Sequence, residues 1–92
     1  MEMIRAHIIV SGIVQGVFFR ANTRSKAQKI GVTGWVRNRP NGTVELIAEG
    51  ERERIERLIE WCHKGPPGAS VSKVAVKWEE YSGEFHGFEV RY

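Results

Sequence analysis

The spacing of apolar residues along this chain switches between the period of a strand and that of a helix, twice over, and this alternation limits the folds open to it. Ile4–Ser11 is rich in β-branched and apolar residues and predicts a strand. Phe19, Thr23, Ala27 and Ile30 share one helical face, predicting a helix from Arg20 or Ala21 to about Ile30, with Gly31 to close it. Val32–Asn38 and Thr43–Glu49 predict two further strands. Between them, Arg39-Pro40-Asn41-Gly42 supplies a proline to start a turn and an Asn-Gly pair suited to positive φ, the pattern of a hairpin. Ile55, Leu58, Ile59 and Cys62 fall at i, i+3, i+4 and i+7, so Glu51–Lys64 is the clearest helix. Gly65 ends it, and Pro66-Pro67 bar its return. Val74, Val76 and Trp78 alternate with Lys73, Ala75 and Lys77 as a half-buried strand, and Phe88, Val90 and Tyr92 alternate with Glu89 and Arg91 as a last one.

The resulting order is β-α-β-β-α-β-β. Two βαβ units sharing one antiparallel sheet, with two helices on one face, make the ferredoxin-like α/β sandwich: an α+β fold, βαββαβ plus a short final strand. No repeat, low-complexity tract or linker divides the 92 residues, so a single domain over 1–92 with one modest core is expected. This fold hosts enzymes, RNA binders and metal carriers, so function has to be read from particular residues.

Composition removes several chemistries. All eleven acidic residues are glutamate, which leaves no Ser-His-Asp triad, aspartate dyad or ordinary EF-hand loop. Cys62 is the one cysteine, so neither an internal disulfide nor a Cys-x-x-Cys site is available. No apolar run approaches the ~20 residues that span a bilayer, and Met1-Glu2-Met3-Ile4-Arg5 lacks the apolar stretch of a signal peptide. A cytoplasmic monomer with no membrane partner is expected. His7, His63 and His86 are scattered without zinc-site spacing; His63 fits a helix C-terminus, and Trp35, Trp61 and Trp78 are expected to anchor the core.

Charge is uneven. Residues 1–46 carry seven Lys/Arg against two Glu, and residues 47–92 carry seven against nine, giving +5 and −2. The half that attracts anions also holds Gly12-Ile13-Val14-Gln15-Gly16-Val17-Phe18-Phe19-Arg20, where a strand ends and a helix begins. A strand-to-helix turn aims free amide N–H groups at one spot, and glycines let the chain bend that sharply. A cation is disfavoured at the positive end of a helix, so Arg20 there implies an anion held between them, most simply phosphate. The loop is neither a Walker A sequence nor a dinucleotide fingerprint, since Val17 follows Gly16 and the three-glycine spacing is missing. Val14, Val17, Phe18 and Phe19 are apolar enough that some of them should pack inward and pin it. Asn38 closes a strand just before the hairpin, where asparagine serves either turn chemistry or the orientation of a water; it is too weak a base for any role but positioning.

Gly12-x-Val14-Gln15-Gly16-Val17-x-Phe19-Arg20, followed by Gly34-Trp35-Val36-x-Asn38-x-x-x-Gly42-x-Val44-Glu45, resembles the acylphosphatase family. The resemblance covers the whole chain and extends to Thr23, Glu49-Gly50, Gly65-Pro66-Pro67 and Phe88-x-Val90-x-Tyr92. It implies hydrolysis of a small acyl phosphate to a carboxylate and inorganic phosphate, without metal or cofactor. By matching position it implies that Arg20 and the backbone amides of Gln15, Gly16, Val17, Phe18, Phe19 and Arg20 hold the phosphoryl group, and that Asn38 orients the attacking water. One departure is Asn41, where the family often has aspartate; both tolerate the left-handed turn conformation, so hairpin shape rather than catalysis is expected to depend on it.

The alternative is a non-catalytic module on the same fold, binding phosphate, an acyl phosphate or RNA. An RNA-recognition sheet presents aromatics on its first and third strands. Ile4–Ser11 and Thr43–Glu49 contain none, so no nucleic-acid partner is expected. A metal carrier is disfavoured by the lone cysteine.

Overall fold

A computed structural model describes residues 2–92. The elements are β1 (Met3–Ile13), α1 (Phe19–Ile30), β2 (Thr33–Asn38), β3 (Val44–Glu51), α2 (Arg52–Lys64), β4 (Ser70–Glu79) and β5 (Phe88–Arg91). The strands form one sheet in the order β4-β1-β3-β2-β5. Its pairings are antiparallel except at one edge, where β5 runs parallel to β2 with Gly34 opposite Phe88 and Arg37 opposite Arg91. The fold is the expected α+β sandwich of ferredoxin-like type, and its sheet is mixed because the final strand joins that edge in parallel.

Alternation along the strands decides which face meets the helices. Ala6, Ile8 and Val10 of β1, Val36 of β2 and Val44, Leu46 and Ala48 of β3 form one core with Phe19 and Ala27 of α1 and Ile55, Leu58 and Cys62 of α2. Burying each large aliphatic or aromatic side chain of this set contributes about 1.5–3 kcal/mol. The polar face of α2, with Glu53, Arg54, Glu56, Arg57 and Glu60, stays outside. Thr23 is buried in α1 without an orphaned hydroxyl, because its Oγ1 donates to the Phe19 carbonyl at 2.7 Å.

The helix-free face carries a different chemistry. Arg5 Nε donates to Glu49 at 2.8 Å, Arg37 Nε donates to Glu45 at 2.6 Å, and His7 Nε2 also meets Glu45 at 2.6 Å. Trp35 sits here rather than in the core, with the guanidinium groups of Arg37 and Arg91 5.1 and 5.0 Å from its ring. Its position follows from period two: Gly34 and Val36 face the helices, so Trp35 cannot. Trp61 and Trp78 do pack against the core.

Residues 80–87 make the crossover from β4 at one edge to β5 at the other. Glu49, fully buried in the middle of the sheet, holds this strap by accepting hydrogen bonds from the N–H groups of Ser82 and Gly83 at 2.9 and 3.1 Å. The N–H of Gly34 donates to the Gly87 carbonyl at 2.9 Å, which fixes the strap's far end beside β2.

Two local features differ from the sequence reading. β1 does not stop at Ser11 but runs to Ile13 through a register shift between Ser11 and Gly12. Gly12 adopts φ 123°, and a Cβ there would collide with the Ser70 carbonyl, so the bulge requires glycine. In the hairpin only Gly42 takes positive φ, at 89°; Asn41 does not. Its Oδ1 instead accepts from the Thr43 hydroxyl at 2.6 Å and the Thr43 N–H at 3.2 Å, while the Gly42 N–H closes the turn on the Arg39 carbonyl at 3.1 Å.

Candidate active site

Residues 14–18 carry the chain from β1 into α1 and are pinned at both ends. Val14 and Phe19 are buried, and the Phe19 ring packs against Trp61 with centroids 5.4 Å apart. Between them the backbone turns through left-handed conformations at Gly16 (φ 75°) and Phe18 (φ 61°, ψ 27°). The first intrahelical bond runs from the Asn22 N–H to the Phe18 carbonyl at 3.1 Å, so the amides of Phe19, Arg20 and Ala21 precede the ladder. No side chain caps α1, and its first turn holds no acidic residue. An uncapped helix N-terminus carries partial positive charge and suits an anion.

Arg20 lies in that first turn, and among the described residues its guanidinium pairs with no carboxylate. It lies 4.7 Å from the centroid of the Tyr92 ring. Tyr92 reaches this point because β5 runs parallel to β2: Arg37 lies opposite Arg91, so the next residue falls beside Asn38. From the sequence alone, Tyr92 is only the end of a closing strand. The signal that would have found it is the parallel edge pairing, which single-sequence periodicity does not carry.

Asn38 ends β2, paired with Val44 across the hairpin. Its Oδ1 is buried and has no hydrogen-bond partner, the only such side-chain atom among the described residues. A buried acceptor left unmade costs about 1–3 kcal/mol, so a donor is expected to meet it when the site is filled. Asn38 lines a cavity of about 280 Å³ together with Gly16, Phe18, Arg20, Val90 and Tyr92. Val14 and Phe19 line it as well, whereas Gln15 and Val17 do not. Val17 packs against the core instead. Phe18, one of the apolar loop residues expected to help pin the loop, is 80% exposed.

Gln15 turns its side chain to the hairpin. Its Nε2 donates to the carbonyls of Arg39 and Thr43 at 2.8 and 2.9 Å. Two carbonyls can only accept, so they fix which end of the amide faces them. These bonds tie the loop that carries Arg20 to the hairpin that follows Asn38.

The remaining candidates lie elsewhere. Cys62 is buried in the core, where burial pushes its thiol up to about 12, far from a nucleophile's range. His7 belongs to the helix-free face, His63 to the last turn of α2 and His86 to the exposed strap. No group of three metal-ligating side chains occurs among the described residues. No Glu, His or Cys side chain lines the cavity. What it offers is a set of backbone donors, a guanidinium and a neutral amide, which can bind a tetrahedral oxyanion and hold a water but cannot abstract a proton at neutral pH.

The family profile described as Acylphosphatase matches residues 6–90. The chain is 55% identical to an acylphosphatase of Pelotomaculum thermopropionicum over 92 residues, covering all of both chains. Its structure resembles an acylphosphatase from Coxiella burnetii with a TM-score of 0.92 and 46% identity, covering 97% of this chain and 93% of that one. An acylphosphatase from Bacillus subtilis gives a TM-score of 0.93 at 35% identity, covering 97% and 99%.

Proposed function

The chain belongs to the acylphosphatase family, hydrolases of small acyl phosphates, and on that premise we propose how its residues divide the work. The phosphoryl group sits at the N-terminus of α1, held by the backbone amides of the Gln15–Arg20 loop and gripped by the Arg20 guanidinium. Asn38 accepts a hydrogen bond from the attacking water and aims it at phosphorus. The observation that carries this reading is the buried, unpartnered Asn38 Oδ1, which lines one cavity with Arg20 and the uncapped helix end.

The bond from phosphorus to the water oxygen forms as the bond from phosphorus to the carboxylate oxygen breaks. A carboxylate is a good leaving group, so the reaction needs little acid catalysis. The loose transition state spreads charge over the equatorial phosphoryl oxygens, where preorganised amides and a guanidinium stabilise it. With no general base beside it, the water's proton passes to a phosphoryl oxygen, giving a carboxylate and dihydrogen phosphate in balance with the substrate dianion and water.

The test is hydrolysis of an aryl acyl phosphate by chelator-treated protein, with inorganic phosphate as competitor. Arg20→Ala should lose turnover and phosphate inhibition together. Asn38→Ala should lose turnover while phosphate still binds; near-normal turnover in that variant refutes water positioning. Turnover that disappears with the chelator refutes a mechanism carried by these residues alone. We also propose that the chain works in the cytoplasm as a monomer with no nucleic-acid or membrane partner. The ion pairs and strap that cover the helix-free face support the monomer and the lack of a nucleic-acid partner. No described helix is long and apolar enough to cross a membrane. Sedimentation at working concentration tests the oligomeric state.

A further inference from the structure

Phe18 is costly to the fold in two ways. Its backbone is left-handed, φ 61° and ψ 27°, and it is the only residue other than glycine with positive φ among those described. Glycine or asparagine takes that conformation with less strain. Its ring is also 80% exposed and belongs to no core contact set, unlike its neighbours Val14 and Phe19. Among the described residues, the core packing offsets neither cost. Tyr92, on the other side of the site, is fully exposed and touches the guanidinium of Arg20 through its ring. Both rings line the cavity that holds Arg20 and Asn38, with Val14 and Val90 also in its wall.

An acyl phosphate has one charged end and one variable end. The charged end is drawn to the helix N-terminus and Arg20, which leaves the acyl group facing the rim. Apart from the Tyr92 hydroxyl, Phe18, Tyr92, Val14 and Val90 offer that group no side-chain hydrogen bond, only apolar surface and two ring faces. We propose that Phe18 and Tyr92 form a seat for the acyl group, and that this chain selects acyl phosphates with a flat apolar acyl group over those with a methyl or carbamoyl group. This rests on the placement of the phosphoryl group proposed above. A ring settling against Phe18 recovers apolar burial and offset stacking that a methyl group cannot.

The test compares kcat/KM for benzoyl phosphate and acetyl phosphate, which share the reacting bond, with inorganic phosphate as competitor in each series. Phe18→Gly suits the left-handed backbone, so the variant is expected to fold. In it the benzoyl-to-acetyl ratio should fall roughly tenfold, with the loss in KM for benzoyl phosphate and little change in phosphate inhibition. Phe18→Tyr keeps the ring and should keep the ratio. A ratio within twofold of the parent in Phe18→Gly, or one lost equally in Phe18→Tyr, overturns the proposal. If the parent turns over neither substrate, the hydrolytic reading fails and this one with it; turnover of both with an unmoved ratio refutes the acyl seat alone.

Discussion

Gln15 offers a measurable link between the two halves of the site. Replacing it with leucine keeps most of the volume and removes two hydrogen bonds, at 2.8 and 2.9 Å. The carbonyls they leave are not orphaned: that of Arg39 still accepts from the Gly42 N–H at 3.1 Å, and that of Thr43 from the Arg39 N–H at 2.9 Å. The loss is therefore the net worth of two bonds, about 1–3 kcal/mol, and not the larger penalty of stranded acceptors. For a chain of this length that is a fall in Tm on the order of 10 °C. The kinetic consequence is separate. Amides and Arg20 move with the loop, so phosphate inhibition should change little. Asn38 stays with the hairpin, so kcat should fall roughly tenfold to a hundredfold as the water drifts from its line of attack. Gln15→Glu sharpens the test. An ionised carboxylate faces two carbonyls and repels them, whereas a protonated one can donate to one of them, so this variant should regain kcat as pH falls while the parent does not. Thermal melts with steady-state kinetics decide the matter. A lowered Tm with unchanged kcat in Gln15→Leu, or no pH-dependent recovery in Gln15→Glu, refutes the alignment role; an unmoved Tm refutes the hydrogen bonds themselves.

Other contacts set three further outcomes. Glu49 accepts from the Ser82 N–H, the Ser82 hydroxyl, the Gly83 N–H and Arg5 Nε, all within 3.1 Å, so Glu49→Ala should cost about 3–5 kcal/mol in denaturant unfolding. Burial works against its ionisation, but the Ser82 and Arg5 donors outweigh it and hold the carboxyl below its ordinary 4.5. Its stabilisation is therefore complete above that value and lost as pH falls through the lower folded value, and Glu49→Gln should flatten this acid limb of the stability curve. Arg20→Lys should recover only part of the turnover lost in Arg20→Ala, remaining on the order of 100-fold below the parent, because an ammonium cannot reproduce a planar two-pronged grip. Full recovery would show that charge alone suffices.

Much of the architecture was legible because periodicity is local. Ile55, Leu58 and Cys62 declare α2 by their spacing, and Gly31 and Gly65 mark the helix ends where the structure has them. The loop and Asn38 were legible for a different reason: their residue types make little sense as a plain connection. What escaped depends on partners distant in sequence. Trp35 looks like a core residue until Gly34 and Val36 are seen to pair with Ala48 and Leu46 of β3, whose burial decides which face of β2 meets the helices. The resemblance implies a place for Gln15 in the cradle through its backbone, and nothing local indicates that its side chain reaches the carbonyls of Arg39 and Thr43. Tyr92 enters the site only because β5 crosses the full width of the sheet to pair in parallel with β2.

That crossing bears on the order in which the chain can become active. The pairing of Gly34 with Phe88 joins residues far apart in sequence, and β5 follows every other element of this fold in chain order. Closing so long a loop is entropically slow compared with forming the helices and the β2–β3 hairpin. A nascent chain lacking β5 can already bury much of its core, yet it has neither Val90 nor Tyr92 to wall the cavity. Catalytic competence is thus expected to be the final property this molecule acquires on folding and the first it surrenders when that edge frays.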